Sequence, residues 1–217
     1  MGLLDSLREA LGMRAEADAA RGADPDDLFG MSTAYVTMEA DLDYHSTGDA
    51  ALCFSGVDST DFTAAVRAIE EILDAGAEET GTEFDVRTDG KGYEWVVLHD
   101  DDPEDLVTSV HFAADELADR GFGSRLLAAV FAFERGDATT RRDSDAGDPD
   151  EGHTVYWIYS FRRGAYYPFA PDPAGDRERV ERAEFKLETV LDGELEIEPE
   201  KEYWYPLWPD GGRHPWE

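Results

Sequence analysis

Residues 83–121 read "EFDVRTDGKGYEWVVLHDDDPEDLVTSVHFAADELADRG", and this stretch determines the predicted fold class. Its first part alternates apolar and polar residues on both sides of the turn-forming "TDGKG", which predicts a β-hairpin. Its second part predicts a helix that Asp102 caps and Pro103 opens, with an apolar stripe that ends at Gly121. A hairpin that leads directly into a helix is typical of an α+β protein.

The C-terminal part of the chain predicts two more long strands and a helix. The apolar run "SRLLAAVFAFER" (124–135) is ambiguous by periodicity alone, but the Gly121/Gly123 break before it and the Phe131/Phe133 alternation favour a strand. The segment "HTVYWIYSFRR" (153–163) is a strand that is bulky on both faces. We expect the two strands to pair antiparallel across the polar stretch 136–152. A helix is predicted over 176–191. The tail that follows it is irregular and rich in tryptophan and proline.

The segments "TAYVTMEADL" (33–42) and "ALCFSGV" (51–57) have the composition of strands, and the polar "STGD" between them predicts a turn. A helix then opens at "STDF". Hairpins outnumber crossover units, so the predicted fold is α+β, with a largely antiparallel sheet and helices packed on it. We expect a single domain over 28–217, and its repeated strand–strand–helix order suggests pseudo-duplicated halves near 28–121 and 122–217.

Residues 1–27 are predicted to form an amphipathic helix and an acidic linker that precede the domain. The polar face of the helix contains Asp5, Arg8 and Glu9, whereas membrane-surface helices usually present lysine and arginine. Packing on this domain or on a partner helix is therefore favoured over membrane docking. The face concerned consists of Leu3, Leu4, Leu7 and Leu11.

The formal net charge is −32, because 51 aspartates and glutamates oppose 19 lysines and arginines, of which only three are lysine. Such a charge repels itself in dilute buffer, but salt at about 1 M shortens the Debye length to about 3 Å and screens the repulsion. The composition is therefore typical of an acidic protein from a halophile. The same negative field argues against nucleic-acid binding, which requires a basic face.

Neither a membrane span nor a secretory signal is predicted. No apolar run approaches 18 residues, which is the shortest stretch expected to cross a bilayer. The N-terminus also lacks the basic region and small-residue cleavage site of a signal peptide. We therefore expect a cytoplasmic protein.

No catalytic, metal-binding or cofactor-binding motif is present. Cys53 is the only cysteine and lies in an apolar strand, so we expect it to be buried. The five histidines do not occur at metal-ligand spacing. If the protein were an enzyme, the alternative would be a small-molecule hydrolase that uses carboxylates together with His99 or His111.

The segment "RRGAYYPFAP" (162–171) is the main candidate for a partner surface. Pro168 predicts that this segment is an edge strand, and its aromatic rings form either part of the core or an exposed surface for a partner. Tyr166, Tyr167 and Trp208 are expected to be the most exposed of these rings. The full candidate surface is Arg162, Arg163, Tyr166, Tyr167, Phe169, Trp204 and Trp208.

Seven segments, taken in order, resemble one known family, the PspA-associated protein PspAB family, whose members occur in haloarchaea and actinobacteria. These segments are "MGLLDSL" (1–7), "DLFGMSTAYVTMEA" (27–40), "ALCFSGV" (51–57), "GYEWVVL" (92–98), "DLVTSVHFAADELADRGFGSRLLAAVFAF" (105–133), "RRGAYYPFAP" (162–171) and "IEPEKEYWYPLW" (197–208).

The resemblance implies a soluble accessory factor of the phage-shock, or membrane-stress, system. Between an adaptor and an enzyme, we favour a non-enzymatic adaptor that acts through protein–protein contacts. It implies a PspA-like membrane-remodelling protein as partner and, in haloarchaea, an HtpX-like membrane metalloprotease as a second one. Such a protein would be cytoplasmic or peripheral at the inner face of the membrane. The resemblance supplies no catalytic residue and no cofactor.

Overall fold

The structure is a computed structural model that describes residues 24–136, 153–173, 177–209 and 213–217. Within these ranges, six strands form one sheet in the order β2-β3-β1-β4-β5-β6, and every neighbouring pair is antiparallel. The predicted α+β class and antiparallel sheet are therefore confirmed. The strands are β1 (Tyr44–Ser55), β2 (Glu83–Thr88), β3 (Tyr93–His99), β4 (Leu126–Arg135), β5 (Thr154–Ser160) and β6 (Ala165–Phe169).

The α-helices of the described residues are α1 (Met31–Thr37), α2 (Thr60–Thr80), α3 (Pro103–Leu117) and α4 (Glu181–Leu191). A 3-10 turn (Pro25–Gly30) precedes α1, and a π-helical turn (Met38–Leu42) extends it. Another π-helical turn (Ala118–Phe122) and a short 3-10 turn (Gly123–Arg125) follow α3, and a 3-10 turn (Lys201–Tyr203) lies in the tail.

The two faces of the sheet have different covers. Alternate residues of a strand point to opposite faces, so Leu52 and Phe54 pack under the helices. Ala51 and Cys53 point to the other face, where residues of the C-terminal tail cover them. Cys53 is buried, as its apolar context predicts. The irregular tail is therefore the second layer of the fold.

Local signals position the helices as the sequence predicts. The hydroxyl of Ser59 accepts a hydrogen bond from the Phe62 amide at 3.1 Å at the start of α2. The Asp102 carboxylate accepts a hydrogen bond from the Glu104 amide at 2.9 Å at the start of α3. These caps satisfy backbone donors that the first helical turn leaves free, so both helices begin where the predicted caps lie.

The prediction of a strand over 33–42 is wrong, because this segment is helical from Met31 to Leu42. Its valine, threonine and tyrosine content favours a strand, but its apolar residues recur at intervals of three and four. That spacing places them on one side of a helix, where they are buried in the core. The buried residues are Leu28, Met31, Ala34, Met38 and Leu42.

The predicted "STGD" turn (46–49) is also wrong, because this segment lies inside β1. The pairing of β1 with β4 shifts register between Ser46 and Ala50. Gly48 adopts a positive φ of 79° there, and the irregularity lets one long strand continue through a polar segment.

The first described turn runs over Pro25–Gly30 and is capped by Asp24, and the division into residues 1–27 and a single domain over 28–217 stays a prediction. The predicted apolar face of Leu3, Leu4, Leu7 and Leu11 lies outside the described residues. The two predicted halves each contribute three neighbouring strands, and their duplication stays a prediction.

Two glycine substitutions should change stability in opposite directions. A Cβ at Gly48 would lie 3.0 Å from the backbone oxygen of Asp100 in a left-handed conformation, whereas a Cβ at Gly76 would meet nothing within 4 Å. We expect Gly48→Ala to lower the free energy of unfolding by about 1–2 kcal/mol or more. Gly76→Ala, inside α2, should raise it by about 0.5–1 kcal/mol.

Urea unfolding followed by tryptophan fluorescence, in buffer with salt at about 1 M to screen the charge, measures both effects. A Gly48→Ala protein as stable as the unmodified chain would contradict the described conformation of β1.

Candidate functional sites

β6 is the edge strand of the sheet, as Pro168 predicts. Its aromatic side chains are nevertheless inside the protein, since Tyr166, Tyr167 and Phe169 are each at most 2% exposed. The Tyr166 hydroxyl donates to the backbone oxygen of Leu28 at 3.0 Å on the helical face. The Tyr167 hydroxyl donates to that of Tyr205 at 3.1 Å on the other face. The expectation that Tyr166 and Tyr167 are exposed is therefore wrong.

The reason is that the tail closes the edge of the sheet. The Tyr166 amide donates to the Glu196 oxygen at 2.7 Å, and the Glu198 amide donates to the Tyr166 oxygen at 2.8 Å. These two bonds form a short parallel bridge between Tyr166 and Ile197. An exposed edge strand carries backbone groups that pair readily with other chains, and the tail occupies them here.

The two predicted tryptophans belong to the same tail–edge contact, which we call the seam. Trp204 is buried, and its indole nitrogen donates to the backbone oxygen of Glu198 at 2.8 Å. Trp208 is partly buried, and its ring meets that of Phe169 edge-on at 4.9 Å. The aromatic residues of the candidate surface therefore come together, but as packing that holds the tail on the sheet.

A buried ion pair lies within the seam. The Arg163 guanidinium donates to the Glu198 carboxylate through Nε at 2.6 Å and a terminal nitrogen at 3.1 Å. Glu198 is only 2% exposed, and Arg163 also lies over the Tyr203 ring at 3.9 Å. The hydrogen bond with Glu198 raises the pKa of Arg163. A bidentate pair of this kind fixes geometry as well as charge.

Arg162 differs from its neighbour. It is half-buried, and its Nε is buried with no hydrogen-bond partner among the described residues. The structure therefore brings six of the seven predicted surface residues into the seam by direct contacts, and Arg162 does not share those contacts.

A second ion pair in the seam was not predicted from the sequence. Arg179 Nε donates to Glu184 at 2.8 Å, and an Arg179 terminal nitrogen donates to the Trp204 backbone oxygen at 2.9 Å. Glu184 also accepts the Ala170 amide at 2.9 Å. In the sequence, Arg179 is visible only as an arginine shortly before a helix in an acidic chain. The sequence does not show that it contacts Glu184 and Trp204.

A second group of contacts was also not predicted from the sequence. It joins Tyr156, His214, Asp49 and His99, and we call it the relay. The Tyr156 hydroxyl lies 3.2 Å from Nδ1 of His214, and Nε2 of His214 lies 3.5 Å from the Asp49 carboxylate. The other oxygen of Asp49 lies 3.1 Å from Nδ1 of His99. Asp49 and His99 face each other across β1 and β3. The relay therefore leads from a buried tyrosine to an exposed histidine.

The ionisable groups of the relay have shifted pKa values. Burial alone would raise the pKa of Asp49, but hydrogen bonds with His214, His99 and Thr47 outweigh it and lower that pKa. Burial raises the pKa of Tyr156, which keeps its hydroxyl protonated. The Tyr156 hydroxyl also donates a hydrogen bond to the backbone oxygen of Arg213 at 3.2 Å.

The two histidines named for a hydrolase contact different carboxylates. His99 belongs to the relay, whereas Nε2 of His111 lies 2.9 Å from Asp26 near the N-terminal end of the described chain. The ring of Phe29 packs on His111 at 4.5 Å. Nδ1 of His111 is buried without a hydrogen-bond partner among the described residues. The structure therefore does not bring His99 and His111 together in one site.

Two of the pockets on the described surface combine apolar and charged lining residues, and neither of these two is lined by histidine. The larger, which we call the cleft, is an open space of about 460 Å³ between the first turns of α2 and the hairpin. The smaller has about 290 Å³ and lies between the first described turn and the tail. The cleft is lined by Gly56, Val57, Asp58, Phe62, Thr63, Val66, Arg67, Gly92 and Glu94.

Comparison with known proteins identifies the family. A family model described as PspA associated protein B matches residues 1–216. The chain belongs to this family. No curated protein and no solved structure matches the chain significantly.

Two kinds of feature are absent from the described residues. No helix among them is long and apolar enough to cross a bilayer. No group of three or more histidine, cysteine or acidic side chains among them is arranged to hold a metal ion.

Removal of Arg163 should destabilise the protein strongly. Arg163→Met leaves the buried Glu198 carboxylate without its cation, and breaking a buried pair costs about 3–5 kcal/mol. The matched control is Arg87→Met, because Arg87 pairs with Asp85 at 2.7 Å on the exposed surface, where a pair contributes about 0–1 kcal/mol. Urea unfolding of both variants measures the difference. Equal losses would contradict the buried pair.

Asp49→Asn should remove stability that depends on pH. A carboxylate with a lowered folded-state pKa stabilises the protein above its unfolded pKa of about 3.9. This stabilisation disappears as the pH falls through the folded-state value. We expect Asp49→Asn to cost about 1–3 kcal/mol near neutral pH, and the gap from the unmodified chain should close as the pH falls below about 3.9.

The free energy of unfolding measured across this pH range gives the profile, and Asp74→Asn on the exposed face of α2 serves as control. A gap that stays constant down to the lowest pH would show that the relay does not lower the pKa of Asp49.

Proposed function

We propose that this chain is a non-enzymatic adaptor that binds a PspA-like protein of a membrane-stress system through protein–protein contacts. The observation that carries the proposal is the match of residues 1–216 to the PspA associated protein B family. The proposal includes a cytoplasmic location, or one at the inner face of the membrane, in a halophile. An HtpX-like membrane protease is the second partner to be tested.

The seam is a poor candidate for the partner surface, because its rings and backbone groups already have partners within the chain. The cleft is a better candidate. Its volume of about 460 Å³ falls in the range of sites that accept a ligand group, about 300–1,000 Å³. Binding energy at protein interfaces concentrates where one partner inserts an anchoring side chain into such a pocket.

The floor of the cleft is apolar and held in place. Phe62 packs edge-on against Phe122 at 5.2 Å and against Phe54 at 6.1 Å, so its ring is fixed by the core. Val66 is half-buried one turn further along α2. A rigid apolar floor suits an aliphatic or aromatic side chain of the partner.

The rim of the cleft is charged. Asp58 and Glu94 line it together with Arg67, and Thr88 donates a hydrogen bond to Glu94 at 3.0 Å, which orients that carboxylate. The whole chain has a formal charge of −32, so a basic segment of the partner is favoured around the anchor. Salt weakens such charge contacts, whereas the apolar anchor keeps its contribution.

The adaptor proposal is tested by affinity measurement against the PspA-like protein of the same organism, in salt at about 1 M. A charge inside the cleft should weaken binding by more than about tenfold, which corresponds to 1.4 kcal/mol, so the test variant is Val66→Glu. The control is Phe185→Glu, because Phe185 is 64% exposed on α4 and does not line the cleft.

Three results are decisive. Loss of binding in Val66→Glu alone supports the cleft as partner surface. Equal binding by both variants contradicts the cleft but leaves the adaptor proposal standing. No binding of the unmodified chain to the PspA-like protein contradicts the adaptor proposal itself.

The alternative, a small-molecule hydrolase, is favoured by one observation, the relay. His99 is exposed beside the ionised Asp49 carboxylate, which is an arrangement that can move a proton to or from a substrate. Turnover of ester substrates that Asp49→Asn abolishes would favour this alternative over the adaptor.

A further inference from the structure

An apolar surface lies where the described chain begins, and we call it the aromatic patch. It centres on Phe29 and Phe112, which are 42% and 41% exposed, and it includes Val36, 53% exposed, which follows seven residues after Phe29 on the adjoining helix. Phe29 and Phe112 lie on either side of His111, with ring centroids at 4.5 Å and 5.8 Å from the histidine ring. Large apolar side chains that remain exposed together mark a surface at which something else binds.

The structure fixes the point from which residues 1–23 extend. Asp24 caps the first described turn, and the Tyr159 hydroxyl donates to the Asp24 backbone oxygen at 3.4 Å. Asp26 is held by His111 at 2.9 Å, on the same side chain that contacts Phe29. Residues 1–23 are therefore joined to the domain at Asp24, five residues before Phe29 of the aromatic patch.

The dimensions of this segment match the aromatic patch. Residues 14–23 can span up to about 33 Å when extended, so residues 2–13 can reach any part of the patch. In helical form, residues 3 to 11 extend about 12 Å, and residues 29 to 36 extend about 10 Å. All four leucines of the predicted apolar face, Leu3, Leu4, Leu7 and Leu11, occur within that length.

We propose that the leucine face of residues 2–13 binds to the aromatic patch of the same molecule. A tether of about ten residues gives an effective concentration on the order of millimolar, so a free partner must bind far more tightly to displace the segment. Apolar contact also suits both surfaces, since leucine side chains and phenylalanine rings gain by leaving water together.

Charge disfavours a bilayer as the other occupant. Asp26 and Asp115 are exposed beside the aromatic patch, and the polar face of residues 2–13 contains Asp5 and Glu9 with Arg8. An anionic membrane surface attracts basic segments and repels acidic ones. When the leucine face of residues 2–13 binds to the aromatic patch, the acidic side chains of both do not have to approach an anionic membrane surface.

Cysteine cross-linking of the full chain tests this contact. Cys53, the only natural cysteine, is buried, so cysteines introduced at the surface react selectively. Asp115→Cys places a thiol one turn from Phe112 and leaves the patch intact. It is combined in turn with Leu3→Cys, Leu4→Cys, Leu7→Cys or Leu11→Cys, and a short bifunctional maleimide joins thiols that come close.

Two matched controls define the background. Asp5→Cys or Glu9→Cys with Asp115→Cys places the first thiol on the polar face. Leu7→Cys with Lys91→Cys places the second thiol at the tip of the β2–β3 hairpin. We expect an intramolecular cross-link at least about fivefold faster for one leucine position than for both controls, with Phe29→Ser/Val36→Ser reducing the rate to background.

Other outcomes overturn the proposal. Equal rates for leucine and control positions would show that the segment does not settle on the patch. Cross-links between two molecules would assign the patch to a second copy of the chain. Leucine-dependent flotation of the protein with phosphatidylserine vesicles, without the intramolecular cross-link, would assign the segment to a membrane. None of these outcomes bears on the affinity of the cleft for a PspA-like protein.

Discussion

The fold depends on closure of the β6 edge by the tail of the same chain. Two backbone hydrogen bonds join Tyr166 to Glu196 and Glu198, and the buried Arg163–Glu198 pair lies beside them. Without this closure, a short edge strand of aromatic residues would present free donors and acceptors to other chains. The same tail supplies Trp204, Leu207 and Trp216 to the second face of the sheet. Edge protection and the second layer of the core therefore come from one segment.

This closure changes which surfaces are available for a partner. The aromatic rings of 162–171, which the sequence suggests for an interface, pack inside the molecule. The charge of Arg163 beside them is neutralised by the buried Glu198 carboxylate. The remaining candidates lie elsewhere, in the cleft between α2 and the hairpin and in the aromatic patch near the first described turn. Both combine apolar side chains with acidic surroundings, which is consistent with partners or segments that contribute apolar anchors.

Much of the fold was predictable because its signals are local. The hairpin, α3 with its Asp102 cap, and the edge position of β6 follow from turn residues, caps and Pro168. The segment 33–42 was mispredicted because strand-forming residue types occur there at helical spacing, and burial against the core decides the outcome. The seam and the relay were not predictable, since they join Tyr166 to Glu196 and Asp49 to His214. Only the tertiary structure brings those residues together.

The tail of the same chain, and not a partner, occupies the β6 edge. Amide hydrogen exchange at Tyr166 and Glu198, with and without the PspA-like protein, measures this occupancy. We expect both amides to be strongly protected in the free protein, because each donates a buried hydrogen bond across the seam, and we expect the partner to leave their exchange unchanged. Fast exchange of both amides in the free protein, with protection gained on adding the partner, would contradict it.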